Sequence, residues 1–599
     1  MLSAQNYLNL VNVRGQAGKE LKRVYRHLRR IDLFVAAYGK LYANRGAMTK
    51  GADPHDTIDG MSLEQIDHII TALATGTHRW QPNRRVTIPK ANGKRRPLGI
   101  PGWRDKLLQE VMRMVLEAYY EPQFSPHSHG FRPQRGCHTA LTEIVTTWGG
   151  TKWFIEGDIK GCFDNINHTV LLGLVAEKIK DNRLLKLIRE LLAAGYLEKW
   201  QYHRTFSGTP QGGVVSPLLA NIYLHELDQF IEHELMPDYN RGVKRASNGT
   251  YGKGCRAKAR AKANGDITEH RRLTRQLQEI PTVDPTDPNY RRLKYVRYAD
   301  DFILGFAGPQ AEAEEIKARI RQFLAERLQL ELSADKTLIT HAQTQPARFL
   351  GYRLHIAQDD RKLTKTTKGG VKRRSINGLP LLSVPPEVKQ QWLTEFMAAD
   401  EPAPRPALLT WPDYDIVVWY EAQWRGLANY YTMAINCSAL NYVRHILERS
   451  LVKTLASKHR CSVKQIYRRY RYKPPDGVQG IRVTVHREDK PPLQATFGTI
   501  PVHYRRRVTT LNDHRYTPIL KTTELSTRLY NNQCELCGAD EHIEVHHIRK
   551  LKDLRAQYRR GEMPAWVVTM IAIRRKTLVV CRSCHRQIHA GVYDGPRFD

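Results

Sequence analysis

Apolar residues in the first 85 positions recur every three to four residues. Leu21, Val24, Leu28, Ile31 and Val35 form one such series on a basic background, and Leu63, Ile66, Ile69, Ile70 and Leu73 form another. Both predict helices. Ser62 precedes the second as an N-cap, and Gln65, three residues on, completes a capping box. Between Arg84 and Pro101 the pattern becomes alternating, with an Asn92-Gly93 turn that predicts a hairpin. Trp103 to Tyr120 is helical again, with Leu107, Leu108, Val111, Val115 and Leu116 on its apolar face. Trp153-Phe154-Ile155-Glu156-Gly157-Asp158 reads as a strand ending on an acid, followed by a glycine break and a helix from near His168. Tyr295 to Tyr298 and Phe302 to Phe306 are β-branched and aromatic, so they predict two short strands joined at Ala299-Asp300-Asp301.

Further along, Ala311 to Leu328 predicts a helix and Arg348 to Tyr352 a strand. Residues 358–410 read as a linker with a basic cluster from Lys365 to Arg374. From Trp411 to about Tyr472 two stripes, Tyr420/Trp424/Leu427/Tyr431 and Val443/Leu447/Leu451/Leu455, predict a small helical bundle. Residues 241–292 are polar, basic and poor in large apolar side chains, as an inserted loop or arm would be. Residues 473–525 read as basic and extended.

A chain of 599 residues with 41% hydrophobic content folds as several domains with sizeable cores. Its formal charge of +34 points to a polyanionic partner, most simply nucleic acid; membrane-surface attachment is the weaker alternative. No apolar run is long enough to span a bilayer, and Met1 to Leu10 lacks a secretory pattern. The basic residues from Arg14 to Arg30 read as a helix that touches RNA rather than as an organellar presequence. Of nine cysteines, Cys137, Cys162, Cys255, Cys437 and Cys461 are scattered, whereas Cys534/Cys537 and Cys581/Cys584 are paired. That distribution predicts reduced thiols in a cytosolic protein with a metal site, not a disulfide framework.

The candidate chemistry is concentrated in a few places. Asp300 and Asp301 together would suit a hard divalent cation, although an isolated Asp-Asp turn is ordinarily just a turn. The basic residues on the 84–101 hairpin, among them Lys90, Lys94 and Arg96, either clamp a triphosphate or merely solvate the hairpin. His129-Gly130-Phe131-Arg132-Pro133-Gln134-Arg135-Gly136 and Gly208-Thr209-Pro210-Gln211-Gly212-Gly213 are turn-rich loops of the kind that bring backbone close to a ligand. The four paired cysteines have the spacing of a structural zinc site, with every position taken by sulfur. His546 and His547 lie between the pairs, and His585 and His589 follow them one helical turn apart.

Taken in order, these blocks resemble the reverse transcriptases encoded by group II introns. The series is Arg85 to Pro101, His129 to Ala140, the strand with Asp158, Pro210-Gln211-Gly212, Tyr298-Ala299-Asp300-Asp301, Asp335-Lys336-Thr337 and Phe349-Leu350-Gly351. Arg425-Gly426-Leu427-Ala428-Asn429-Tyr430-Tyr431 resembles the family's maturase, or thumb, region, and the terminal Cys/His segment resembles an HNH nuclease of the ββα-metal type. The resemblance implies an α+β multidomain chain: a right-hand polymerase with a helical thumb and a small zinc-stabilised HNH domain. It divides the chain into an N-terminal extension and start of the fingers (1–82), fingers and palm (83–360), thumb and maturase (361–480), a basic DNA-binding linker (481–525) and the HNH domain (526–599).

By the same resemblance Asp158, Asp300 and Asp301 are catalytic and hold two Mg2+ ions, with the backbone carbonyl of Ile159 as an added ligand. Phe163 is the steric gate that excludes a 2′-hydroxyl. Lys90, Lys94 and Arg96 contact the triphosphate, Gln211 borders the nascent base pair, and Lys336 meets primer or triphosphate phosphates. His547 is the nuclease's general base, and His546, His585 and His589 hold a Mg2+ or Mn2+ ion. One departure is Thr577-Leu578, where the family commonly has Asn-Leu. The implied partners are a structured intron RNA, target DNA and deoxynucleoside triphosphates, with no membrane, in the bacterial cytoplasm or nucleoid, with an organelle as the weaker alternative. The implied function joins RNA-directed DNA synthesis, help with intron splicing, and nicking of target DNA for intron mobility. The alternatives are a splicing-only maturase or a reverse transcriptase of another retroelement lineage.

Overall fold

The computed structural model describes residues 3–593 apart from 45, 90–92, 94, 206, 210–211, 360–361, 366–371, 476, 488–489, 509–515, 521–522, 549–562 and 574. Its centre is a four-stranded antiparallel sheet in the order Ile339–His341, Trp153–Asp158, Asp301–Ala307, Arg292–Tyr298. Because side chains alternate across a strand, this sheet feeds two cores. Phe302, Leu304 and Phe306 join a large core with the helices Trp103–Tyr120 and Ser216–Phe230. Ile303, Val296 and Phe154 join a second core with Trp148, Tyr420, Trp424 and Leu447. The sheet therefore lies between the N-terminal and C-terminal halves, and its turn end carries the acidic residues.

The predicted hairpin is present as Asn83–Pro89 and Arg95–Ile100, within a second sheet completed by Tyr196–Glu198 and Gln201–His203. The helices Asp413–Tyr430, Leu440–His459 and Val463–Tyr470 form the expected bundle, and both predicted stripes are buried in it. No helix among the described residues is long and apolar enough to cross a membrane.

Several local expectations differ. Ser62 Oγ does accept from the Gln65 N–H (3.1 Å), but the Gln65 amide donates to the Gly60 carbonyl (2.8 Å) and closes no reciprocal box. Residues 241–292 are not a bare loop: Gly249–Ala263 and Ile267–Glu279 form a helical hairpin, pinned by buried Ala261, Leu273 and Leu277. Three small apolar contacts on a charged background fall below what periodicity detects. The 348–352 strand is split, because Leu350 and Gly351 both take positive φ and turn Ala347–Phe349 back on Tyr352–Ile356. Within the stretch read as basic and extended, Gly480–Arg487 pairs with Lys490–Phe497, and Ile481, Val483, Ala495 and Phe497 bury against the bundle. The predicted linker at 358–410 also contains the helix Pro386–Phe396, whose Phe396 is buried.

Candidate active sites

The first site lies at the turn end of the central sheet. Asp158 ends its strand directly opposite Asp301 in the antiparallel ladder, and Asp300 occupies the adjoining turn. Two distant segments thus bring three carboxylates together. The tight turn is made by Ala299, which sits at φ 58°, an unfavourable region for a residue with a Cβ. Its surroundings hold it there. The fully buried Arg297 donates to the Ala299 carbonyl (2.9 Å), to Asn221 Oδ1 (3.1 Å) and to Asp228 (2.7 and 2.5 Å). Breaking such a buried pair typically costs about 3–5 kcal/mol, so it fixes the turn. Gly130 packs against the same turn, and a Cβ there would lie 2.3 Å from the Ala299 nitrogen. His129, fully buried between Thr139 and Glu143, anchors the loop that carries Gly130.

Electrostatics agree with a site built for cations. Burial, then Asp300 and Asp158, pushes the Asp301 carboxyl up to about 6. Burial and the Asp158 charge likewise raise Asp300, against the pull of Arg96 and Lys336. Lys336 donates to Asp158 Oδ2 (2.9 Å), and that bond raises its own pKa. Arg96 is therefore near enough to act on the carboxylates. Ile159 follows Asp158 and bridges to Leu332, while the Asp158 carbonyl accepts from Ser333 (2.9 Å). Phe163 is half-buried, edge-on to the exposed Phe131 with ring centroids 6.2 Å apart. The 207–209 loop wraps it: Thr209 N–H donates to the Phe163 carbonyl (2.8 Å) and Ser207 Oγ to that of Asp164 (3.0 Å). Lys90, Lys94 and Gln211 lie outside the described residues.

The second site lies in the C-terminal segment. Ile543–His547 pairs with Thr577–Cys581, and the helix Arg582–Ala590 follows at once, giving a ββα unit. Donor atoms of Cys534, Cys537, Cys581 and Cys584 all lie within 4.8 Å of one another, and Cys537 Sγ to Cys581 Sγ is 3.7 Å. Tetrahedral thiolates about 2.3 Å from a zinc ion would be about 3.8 Å apart, so the four cysteines fit that ion. Both pairs sit in turns where a backbone N–H donates to sulfur, Cys537 to Cys534 and Cys584 to Cys581, each at 3.5 Å.

His546, His585 and His589 also converge, but a fourth member joins them that the sequence reading missed: Asp59. Its Oδ2 is 2.8 Å from His589 Nε2, and its Oδ1 accepts from the His547 N–H at 2.7 Å and lies 3.5 Å from His585 Nε2. Tyr38 is a second missed neighbour, bonded through its hydroxyl to His547 Nε2 (2.7 Å). Neither residue belongs to a recognisable motif, and Asp59 lies 488 positions from His547, so only folding reveals them. Burial lowers both His546 and His547 to about 4, leaving them neutral at pH 7. Burial also opposes charge on His585, but its bonds to Asp59 and Glu544 prevail and raise it to about 9. Thr577 lies opposite His547 in the ladder, and its Oγ1 accepts from Arg528 (2.9 Å).

A carboxylate cluster with Arg96 and Lys336 beside it, together with a separate ββα unit with histidine and cysteine clusters, has the make-up of a nucleic-acid enzyme with two candidate metal centres. Comparison with known proteins specifies it further. Residues 88–354 match the reverse transcriptase (RNA-dependent DNA polymerase) family, 388–526 the type II intron maturase family and 534–585 the AI2M/AI1M-like HNH endonuclease family. The chain is 42% identical to the group II intron-encoded protein LtrA of Lactococcus lactis subsp. cremoris, over 94% of this chain and 95% of that protein. It is 36% identical to an uncharacterized 91 kDa protein in a cob intron of Schizosaccharomyces pombe, over 93% of this chain and 68% of that one. A putative COX1/OXI3 intron 1 protein of Saccharomyces cerevisiae is 32% identical, over 94% and 68%. The chain belongs to the group II intron-encoded proteins, and combines RNA-directed DNA polymerase, maturase and HNH endonuclease domains.

Proposed function

We propose that this chain copies its intron RNA into DNA from a 3′ end made by its own nuclease, using a right-hand arrangement of fingers, palm and helical thumb. The observation that carries the reading is the register of the central sheet, which sets Asp158 against Asp301 with Asp300 on the next turn. Two Mg2+ ions held there, about 3.5–4 Å apart, would stabilise the attacking and leaving oxygens of phosphoryl transfer. Asp158, Asp300 and Asp301, with the Ile159 carbonyl, would hold them. The rest of the site positions substrate. Arg96, with Lys90 and Lys94, binds the triphosphate, and Lys336 releases Asp158 to meet a phosphate. Phe163 excludes a 2′-hydroxyl, and Gln211 borders the new base pair.

In the terminal module, neutral His547 takes the proton of the attacking water. His546, His585 and His589 hold a Mg2+ or Mn2+ ion, and zinc in the four-cysteine cluster supports the fold. The bundle and the basic 481–525 segment bind intron RNA and target DNA. With +34 net charge, that binding is dominated by phosphate contacts and weakens steeply with salt. Similarity to a bacterial intron protein supports a cytoplasmic, nucleoid-associated location.

The test is a target-primed assay with intron RNA and intact duplex target. Complementary DNA covalently joined to a fresh bottom-strand nick is expected. Synthesis on pre-nicked DNA with none joined on intact DNA would overturn the nuclease half, and synthesis on neither would overturn the polymerase half.

Chelating zinc is expected to unfold residues 526–599 while the polymerase and bundle stay folded, because metal binding in such modules is coupled to folding. Hydrogen exchange along the chain checks this; unchanged protection of the terminal module would rule out zinc as its staple.

A further inference from the structure

The histidine cluster is completed from the other end of the chain. We infer that Asp59, in the loop before the Leu63–Thr75 helix, is a fourth ligand of the HNH ion and holds the nuclease in a closed resting state. The inference rests on the reading of His546, His585 and His589 as metal ligands.

The loop is docked rather than merely nearby. Met61 bridges to Val545 in antiparallel fashion, with Gly60 N–H donating to the Val545 carbonyl (3.0 Å) and Val545 N–H to that of Met61 (2.9 Å). This adds a single bridge to the free edge of the Ile543–His547 strand. Ile58 and Met61 are fully buried on either side of Asp59. Gly60 takes φ 80°, a backbone conformation that glycine adopts readily, and its Cα side faces His585. Glu64, just beyond, pairs with His542 (2.8 Å) and Arg582 (3.2 Å).

Donor atoms of Asp59, His546, His585 and His589 all lie within 4.8 Å of one another. Three imidazoles and a carboxylate suit Mn2+, Co2+ or Zn2+ better than Mg2+, since nitrogen donors favour transition ions. A catalytic site must keep a position for water or substrate, whereas a site whose protein ligands fill every corner is closed. Asp59 takes the corner that a phosphodiester oxygen needs. Tyr38, from the same N-terminal region, meanwhile occupies His547 Nε2. Cleavage therefore requires the 58–61 loop to withdraw, and DNA phosphate is the anion that replaces Asp59.

The test uses the full chain carrying one equivalent of zinc, titrated with Co2+, and the variant Asp59→Asn. The asparagine carbonyl still accepts from the His547 N–H, so the docked fold is kept while the anionic donor is lost. Affinity for Co2+ is expected to fall at least about tenfold, and Co2+ should slow hydrogen exchange of residues 57–62 in the native chain only. Nicking at saturating metal is expected to rise about tenfold, the population shift expected from losing one charge-assisted contact. Primer extension stays unchanged. Equal Co2+ affinity in the two proteins would overturn Asp59 as a ligand, and slower nicking by the variant at saturating metal would overturn the closed state. Failure of the native chain to bind Co2+ at this cluster, with His585→Ala no different, would instead overturn the reading of the histidines.

Discussion

Asp300→Ala is expected to reduce templated DNA synthesis by about 10²–10³-fold or more, a loss on the scale of removing a group aimed at transition-state charge. Binding of structured RNA should be unaffected. The asymmetry follows from where the charge lies. Asp300 sits on a turn braced from beneath by Arg297, Asn221 and Asp228, so truncating its side chain leaves the backbone supported. Its neighbours Arg96 and Lys336 are cations and cannot replace a metal ligand. RNA affinity, by contrast, draws on a surplus of Lys and Arg spread over the chain, 94 against 60 acids. Primer extension on an RNA template, alongside filter binding of the same RNA, checks both halves. Persistent synthesis would falsify the assignment of this turn.

His547→Ala should abolish nicking of intact target, by about 10²–10⁴-fold for loss of a general base, yet leave complementary DNA synthesis on a pre-nicked target near normal. His547 is buried and held neutral at pH 7, the state a proton acceptor needs. Its removal leaves the Tyr38 hydroxyl without its partner, at a cost of about 1–3 kcal/mol. His547→Asn, which keeps a polar group toward Tyr38, separates that structural effect from the chemical one. Loss of synthesis on the pre-nicked substrate by both variants would mean that the fold had failed and the base had not been tested.

What could be read from the chain follows the reach of each signal. The hairpin with Asp300 and Asp301 was legible because strand alternation and β-branched content act over a few residues. The four cysteines were legible because a metal knuckle imposes its own short spacing. The helical hairpin at 249–279 was missed because its burial is limited to Ala261, Leu273 and Leu277 among charged neighbours, too few to mark a period. The pairing of 480–487 with 490–497 was hidden because its buried residues, Ile481, Val483, Ala495 and Phe497, stand among polar residues and prolines.

By itself the sequence determined the local elements, the Asp300-Asp301 turn and the paired cysteines, since backbone preference and ligand spacing are properties of adjacent residues. Resemblance across ordered blocks then joined Asp158 to that turn. The tertiary structure alone decided that Asp158 and Asp301 stand in register, that Arg297 and Asp228 form the buried brace beneath them, and that Asp59 and Tyr38 reach the histidines of the terminal module. Those relations depend on which distant surfaces bury together. A carboxylate 530 positions from the imidazole it touches leaves no periodic trace in the chain.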